Sequence, residues 1–445
     1  MVPASVAPST THMVRIVSMP GRPRALALAS TSLLFSSLAA CGSSATAPER
    51  DAATDAHQAS GDAGKTSRDS ATQDTSSPSR DAGHDTGHDV ETTDAAPLPD
   101  ASDAKPPSLG DASFTPGAPI TATAAQWTWV PFPDAVCANG TATGIGVNLS
   151  TTKDARVLIY LEGGGACWSE LTCYSLMTAS YFTTGYGEAD FTAESTDATY
   201  LAEPGGFFDR TSAANPFQDY SYVYVPYCTG DVHAGYNVTQ LGTTTANFVG
   251  WKNFGEYLDR LVPTFTGTDR VILAGSSAGG FGAALNWWRT QQAFGGVRVD
   301  LLDDSGTAMP AAITAEGTPL STFAVPWNLA ATVPAGCTSC STDLSSLYSY
   351  YDTVFATHRA ALLSYTQDTV LPTFFGVTTA EFTTGLDDDL AAYFKPTDPF
   401  KSFVINAAGH VLFFSPTLAT SANVTVQQFV TQMVTDDAAW TDDGP

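Results

Sequence analysis

The stretch "VILAGSSAGGFG", residues 271–282, runs four apolar residues straight into Gly275-x-Ser277-x-Gly279. Glycines around a serine at the end of a strand-like run suit a nucleophile elbow. That is a tight strand-to-helix turn that lifts the hydroxyl clear and leaves no room for neighbouring side chains. A serine hydroxyl is a weak nucleophile at neutral pH, so acyl transfer through it needs a base within hydrogen-bond reach and a third group orienting that base. On open α/β folds these follow the serine in the order acid, then histidine. His12, His57, His84 and His88 lie in the first 112 residues, His233 precedes Ser277, and His358 precedes the later of the two acid candidates. His410, just after "FVINAAG", is the candidate base. Two carboxylates that obey the order are the serious candidates for the acid: Asp304 in "LLDDSG" and Asp368 after "ALLSYT". Either could instead cap a turn at a strand end. The reaction also needs N–H donors aimed at the oxyanion. Ala278, directly after the serine, offers one, and Gly164 and Gly165 of "LEGGGACW" offer two more.

The elements that must hold these residues are legible as short apolar runs. "RVLIYLEGGG" (156–165), "DYSYVYVPYC" (219–228), "RVILA" (270–274), "VRVDLLDDSG" (297–306), "ALLSYT" (361–366) and "FKSFVINAAGH" (400–410) read as buried strands. Between them, "NFGEYLDRLVPTF" (253–265) places Phe254, Leu258 and Leu261 at helical spacing with Pro263 as its expected stop, and a second helix begins at "GGFGAALNWWRTQQ". Continuous apolar strands alternating with helices predict an α/β chain: a mostly parallel sheet with helices on both faces. Such a sheet places its ligand site at the carboxyl ends of the strands, where every candidate above falls.

Composition divides the 445 residues into three parts. Residues 1–40 carry Arg15, Arg22 and Arg24, no acid, and the apolar run "ALALASTSLLFSSLAA"; either Met13 or Met19 as the start keeps Arg22 and Arg24 ahead of that run. This is the layout of an export signal, too short for a membrane span. "LAAC" ending at Cys41 is similar to a bacterial lipobox, so the expectation is lipidation of Cys41 and an exported, lipid-anchored protein of the bacterial cell envelope, at the outer membrane or cell surface or released from it. Residues 41–112, built from Asp, Ala, Ser, Thr, Gly and Pro, lack the apolar side chains to offset ordering entropy and read as a disordered acidic linker. Residues 113–445 form the folded domain and hold the other six of seven cysteines, Cys137, Cys167, Cys173, Cys228, Cys337 and Cys340, enough for three disulfides in an oxidising compartment. Cys337 and Cys340, without a thioredoxin-like context, read as a local staple. The net charge of −26 repels nucleic acid and anionic membranes. No metal-ligand spacing is present, a monomer is expected, and the membrane is reached only through the anchor.

"YLEGGGACW", "VPYCTGDVHAG", "ILAGSSAGG", "DDSG" and the late His410, in that order and over about residues 126–430, resemble the pectin acetylesterase family, which takes in the Notum-like carboxylesterases. The resemblance implies an α/β-hydrolase-like fold with no metal and no cofactor, Ser277 as nucleophile, His410 as base and Asp368 as acid. It implies that "DDSG" is a separate structural signature, which ranks Asp304 second. It also suggests a disulfide between Cys167 and Cys173 and another between Cys137 and Cys228. The function it implies is a serine carboxylesterase that removes short acyl groups, acetyl first, from a polysaccharide such as pectin. A deacylase for longer chains is the nearest alternative. A surface lipoprotein that binds carbohydrate without catalysis is the alternative of a different class.

Overall fold

The computed structural model describes residues 114–311, 324–394 and 399–445. The expected signal, the linker and Cys41 lie outside the described residues. Eight strands form one sheet in the order β1 (Thr128–Val136), β2 (Ala142–Asn148), β4 (Ser221–Val225), β3 (Val157–Leu161), β7 (Arg270–Ser276), β8 (Arg298–Asp304), β9 (Ala360–Asp368) and β10 (Phe400–Gly409). The six strands from β4 to β10 are parallel; β1 and β2 add an antiparallel margin. A separate hairpin joins β5 (Asn237–Leu241) to β6 (Thr244–Phe248).

The central parallel strands β3 and β7 carry apolar residues in succession because both faces are covered. On β3, Val157, Ile159 and Leu161 enter one core while Leu158 and Tyr160 enter the other; on β7, Val271 and Leu273 oppose Ile272 and Ala274. The first core is roofed by α2 (Gly250–Thr264), α3 (Ala278–Phe294), α4 (Ser346–Val354) and α6 (Thr379–Asp389), the last preceded by the short α5 (Leu371–Phe375). The second is roofed by α1 (Glu188–Glu194) and α7 (Val426–Val434). Each fully buried Val, Leu or Ile on these strands contributes about 1.5–3 kcal/mol.

Two local expectations are corrected. Pro263 does not stop α2 but lies within its last turn. A proline there cannot donate to the Asp259 carbonyl, and that carbonyl instead accepts the Gly117 N–H at 2.7 Å. The sheet is also wider than the apolar runs suggest. Pro131 and Pro133 interrupt the β1 pattern, which β1 tolerates because it is the edge strand, and its register with β2 shifts between Phe132 and Val136. Three disulfides are formed, Cys137–Cys228, Cys167–Cys173 and Cys337–Cys340. The first ties the end of β1 to the end of β4 across 91 residues, a loop closure that contributes about 4–5 kcal/mol in the chain-entropy account.

Two buried carboxyls set a pH dependence of stability. Asp389 closes α6 fully buried, and neither carboxylate oxygen has a hydrogen-bond partner among the described residues. Burial, with Asp343 and Asp388 adding like charge, pushes its carboxyl up to about 9. Asp303, also buried and beside Asp304, is pushed up to about 8. The folded chain therefore holds these protons where the unfolded chain has released them, so this stabilisation is complete below about pH 4 and is lost as pH rises through 8 and 9. Thermal unfolding should show Tm falling from pH 6.5 to pH 9. Asp389→Asn should flatten that fall and raise Tm at pH 8.5 by several degrees, at about 2–4 °C per kcal/mol. A variant curve parallel to the parent curve would reject the assignment.

Candidate active site

Ser277 occupies the turn between β7 and α3 with φ 56° and ψ −121°, a region non-glycine residues rarely adopt. The surroundings explain the glycines. A Cβ at Gly275 would lie 2.1 Å from the Gly279 carbonyl oxygen, and one at Gly279 would lie 2.0 Å from the Leu161 carbonyl oxygen. The turn is pinned from the next strand, where the Asp304 carbonyl accepts the Ser277 N–H at 2.7 Å.

His410 follows β10, and its Nδ1 lies 2.7 Å from Asp368 Oδ2. The other oxygen, Oδ1, accepts the N–H groups of Val370 and Leu371, both at 2.8 Å. Asp368 is thus fully engaged at the carboxyl end of β9 and 1% exposed. With Nδ1 donating to the carboxylate, the lone pair of the neutral ring is on Nε2. Asp304 is occupied differently. Its Oδ2 accepts Ser276 Oγ at 2.7 Å and the Phe413 N–H at 3.0 Å, and its Oδ1 accepts the Leu412 N–H at 2.8 Å. One buried carboxylate therefore holds both the residue before Ser277 and the loop after His410. Burial pushes the Asp304 carboxyl up, against the pull of these donors and of His410. That loop is bent by Val411, a β-branched residue at φ 67° whose N–H donates to Ser305 Oγ at 3.1 Å.

The glycine loop leaves β3 at the same edge. Gly164 has φ 143° and Gly165 φ 76°, and a Cβ at Gly165 would lie 2.1 Å from the Thr178 carbonyl oxygen. Gly165 bridges Ala179 in the antiparallel sense, with the flanking bonds running from Ser180 N–H to the Gly164 carbonyl and from Ala166 N–H to the Thr178 carbonyl. Gly165 is then the non-hydrogen-bonded member, and its own N–H faces away from Ala179. Ala278 N–H is one of the uncapped donors of the first turn of α3. Gly165, Ser277 and Ala278 all line one cavity.

Two further residues hold this loop that sequence reasoning did not select. His233, excluded as a base because it precedes the serine, has Nε2 2.8 Å from the Glu162 carbonyl oxygen, and its ring packs 4.8 Å from that of Tyr227. Burial pushes its imidazole down to about 4, so it is a neutral donor to the peptide that opens the glycine loop. The Glu162 side chain accepts the Tyr227 N–H at 2.8 Å, and burial beside Glu194 raises its carboxyl well above the usual range. The one sequence signal was the crowding of "GDVHAG" against a strand end.

The cavity measures about 80 Å³. Beyond the glycine loop and the elbow, its wall is largely apolar, with Phe281, Met309, Trp327, Leu371, Phe374 and Phe375 contributing, and Thr342 and Asp343 are its polar members. Among the described residues no group of three or more His, Cys, Asp or Glu side chains could hold a metal ion, and no helix is long and apolar enough to cross a membrane. A hydroxyl on a strained turn, an imidazole oriented by a buried carboxylate, and N–H groups beside an apolar cavity make up the equipment for acyl transfer.

Known proteins share part of this sequence and its fold. The family description "Pectinacetylesterase" matches residues 123–356, a range that includes the glycine loop and Ser277 and ends before Asp368 and His410. The chain is 31% identical over 156 residues to the palmitoleoyl-protein carboxylesterase NOTUM of Schmidtea mediterranea, covering 34% of this chain and 27% of that protein. It is 32% identical over 152 residues to the palmitoleoyl-protein carboxylesterase notum2 of Xenopus laevis, covering 34% and 29%. The matched stretch spans less than a third of either relative. In solved structures, the fold superposes on the Wnt deacylase Notum from Drosophila with a TM-score of 0.50 at 16% identity, covering 71% of this chain and 97% of that one, which shows an α/β-hydrolase-like fold.

Proposed function

We propose, from the premise that the chain belongs to the pectinacetylesterase family, that it is a carboxylesterase using Ser277 as nucleophile, His410 as base and Asp368 as the acid that orients it. The observation that carries this reading is the 2.7 Å contact of His410 with Asp368 on loops that Asp304 ties to the elbow. Ser277 Oγ attacks the ester carbonyl while His410 Nε2 takes its proton. The oxyanion rests on the N–H groups of Gly164, Gly165 and Ala278. The alcohol leaves with the proton from His410, and water activated by the same imidazole releases the acid. The chain is read as exported and anchored at Cys41, on the strength of the basic and apolar segments before it.

For the acyl group, the cavity favours a chain of several carbons. Water-sized occupancy needs about 10–15 Å³, which an acetyl methyl would satisfy in a space of about 80 Å³. Most of the wall is apolar, and the curated relatives are named for a palmitoleoyl ester. Acetyl removal from a polysaccharide is the second reading, favoured by the family's name. A series of p-nitrophenyl esters from acetate to decanoate decides between them. We expect kcat/KM to rise about threefold to fourfold per added CH2, at about 0.8 kcal/mol each, until the cavity is filled. A maximum at acetate, with acetate release from acetylated pectin or xylan, would establish the second reading. No hydrolysis at any length, with no labelling by a fluorophosphonate, would leave a binding protein.

A further inference from the structure

The exposed large apolar side chains among the described residues are Leu171, Leu176, Met177, Tyr236, Val238 and Val325, between 52% and 79% exposed. They fall on three segments that interlock. Trp327 Nε1 donates to the Cys167 carbonyl at 2.9 Å, joining the segment of Val325 to the disulfide-stapled loop of Leu171, Leu176 and Met177. Tyr236 N–H donates to the Trp327 carbonyl at 2.7 Å, and Asn237 Nδ2 donates to the Pro326 carbonyl at 2.9 Å, joining β5 to the same segment. The turn after β5 closes the ring, since a Cβ at Gly242 would lie 2.6 Å from the Glu170 carboxyl. Two of the three segments also wall the cavity, through Gly165 and Ala166 on one and Trp327 and Leu329 on the other. In a chain of net charge −26, residues 166–187, 236–248 and 324–334 carry one charged side chain between them, Glu170.

A nearly uncharged face that carries six exposed large apolar side chains, joined through Ala166 and Trp327 to a largely apolar cavity beside Ser277, fits one kind of occupant. An anionic membrane is repelled by the net charge, and a hydrated polysaccharide would leave the six exposed large apolar side chains unmatched. A phase of uncharged acyl esters matches it. We propose that this face docks the enzyme on the surface of an uncharged lipid phase, from which an acyl chain passes into the cavity without crossing water. The inference rests on the esterase reading for its purpose, but the docking is measured without turnover. Burial of the exposed side chains in the lipid supplies the affinity, and the reacting ester arrives already desolvated.

The test uses the full chain with Cys41→Ser, so that no anchor contributes, and compares it with the same chain carrying Leu171→Ser, Leu176→Ser and Val325→Ser, none of which lines the cavity. Co-flotation with tributyrin droplets and with phosphatidylcholine vesicles reads docking. Hydrolysis of tributyrin through its solubility limit reads the consequence, and hydrolysis of dissolved p-nitrophenyl acetate reads the integrity of the site. The parent should float with both, and its tributyrin rate should turn upward where droplets appear. The triple substitution should lower the partition coefficient roughly a hundredfold and remove the upturn, with the p-nitrophenyl acetate rate unchanged. A parent that stays in solution overturns the proposal, as does a variant that floats as well as the parent. So does sedimentation showing a dimer that the substitutions dissociate, which would make the face a self-association surface. Loss of hydrolysis with flotation intact rejects the esterase reading and leaves the docking standing.

Discussion

Ser277→Ala should lower ester hydrolysis by about 10⁵- to 10⁶-fold while leaving Tm and the circular dichroism spectrum as they were. The size follows from the role. Without the hydroxyl no acyl-enzyme forms, and what is left is water attacking a substrate polarised by the N–H groups of the glycine loop and α3. The unchanged fold follows from the geometry. The turn is held by main-chain contacts, the Asp304 carbonyl on the Ser277 N–H and the glycines at 275 and 279, none of which uses the serine side chain. Alanine carries the same Cβ at the same φ of 56°. Turnover of p-nitrophenyl butyrate within tenfold of the parent would remove Ser277 from the chemistry.

Asp368→Asn and Asp304→Asn should fail in opposite ways. At 368 the amide keeps the shape but offers His410 Nδ1 a group that can also donate, so the tautomer and orientation of the ring are lost; kcat should fall about 10⁴-fold with KM and Tm little changed. At 304 the carboxylate takes Ser276 Oγ and two N–H groups of the His410 loop. An amide has one oxygen for these three donors, and leaving buried donors unmet costs about 1–3 kcal/mol each. Asp304→Asn should therefore lower Tm by many degrees. Its kcat in the fraction that stays folded should fall less than that of Asp368→Asn. Steady-state kinetics beside calorimetry on the two variants separates the roles; a soluble, thermally normal Asp304→Asn with a 10⁴-fold loss of kcat would exchange them.

What could be read in the sequence was whatever two physical patterns enforce. Strands covered on both faces carry runs of consecutive apolar residues, so β3, β4 and β7 to β10 stand out from the chain even where Asp300 breaks β8. A serine at positive φ between crowded backbones must have glycines around it, so the elbow stands out too. The edge strand β1 has no such constraint and admits Pro131 and Pro133, which hide it. The roles of Glu162 and His233 are not legible for another reason, although both lie in the quoted motifs: they act on backbone atoms, the Tyr227 N–H and the Glu162 carbonyl, and hydrogen bonds to main chain leave no mark in the partner's residue type. The cavity was hidden by distance along the chain, since Phe281, Met309, Trp327 and Phe374 meet only when α3, the stretch after β8, the segment near 327 and α5 are assembled. By residue type and chain order alone Asp304 and Asp368 look alike, both strand-end carboxylates after the serine; what separates them is the family resemblance and, in the structure, their different partners.

The double hold of Asp304 has a thermal consequence. It sits fully buried on β8, in the interior of the sheet, with the elbow on one side and the His410 loop on the other. Neither arm can open without breaking hydrogen bonds in the most protected part of the sheet, where opening costs nearly as much as complete unfolding. Heat should therefore leave the machinery intact until it dismantles the whole molecule, with no intermediate range of temperature in which the protein is still compact but its reactive groups have drifted apart.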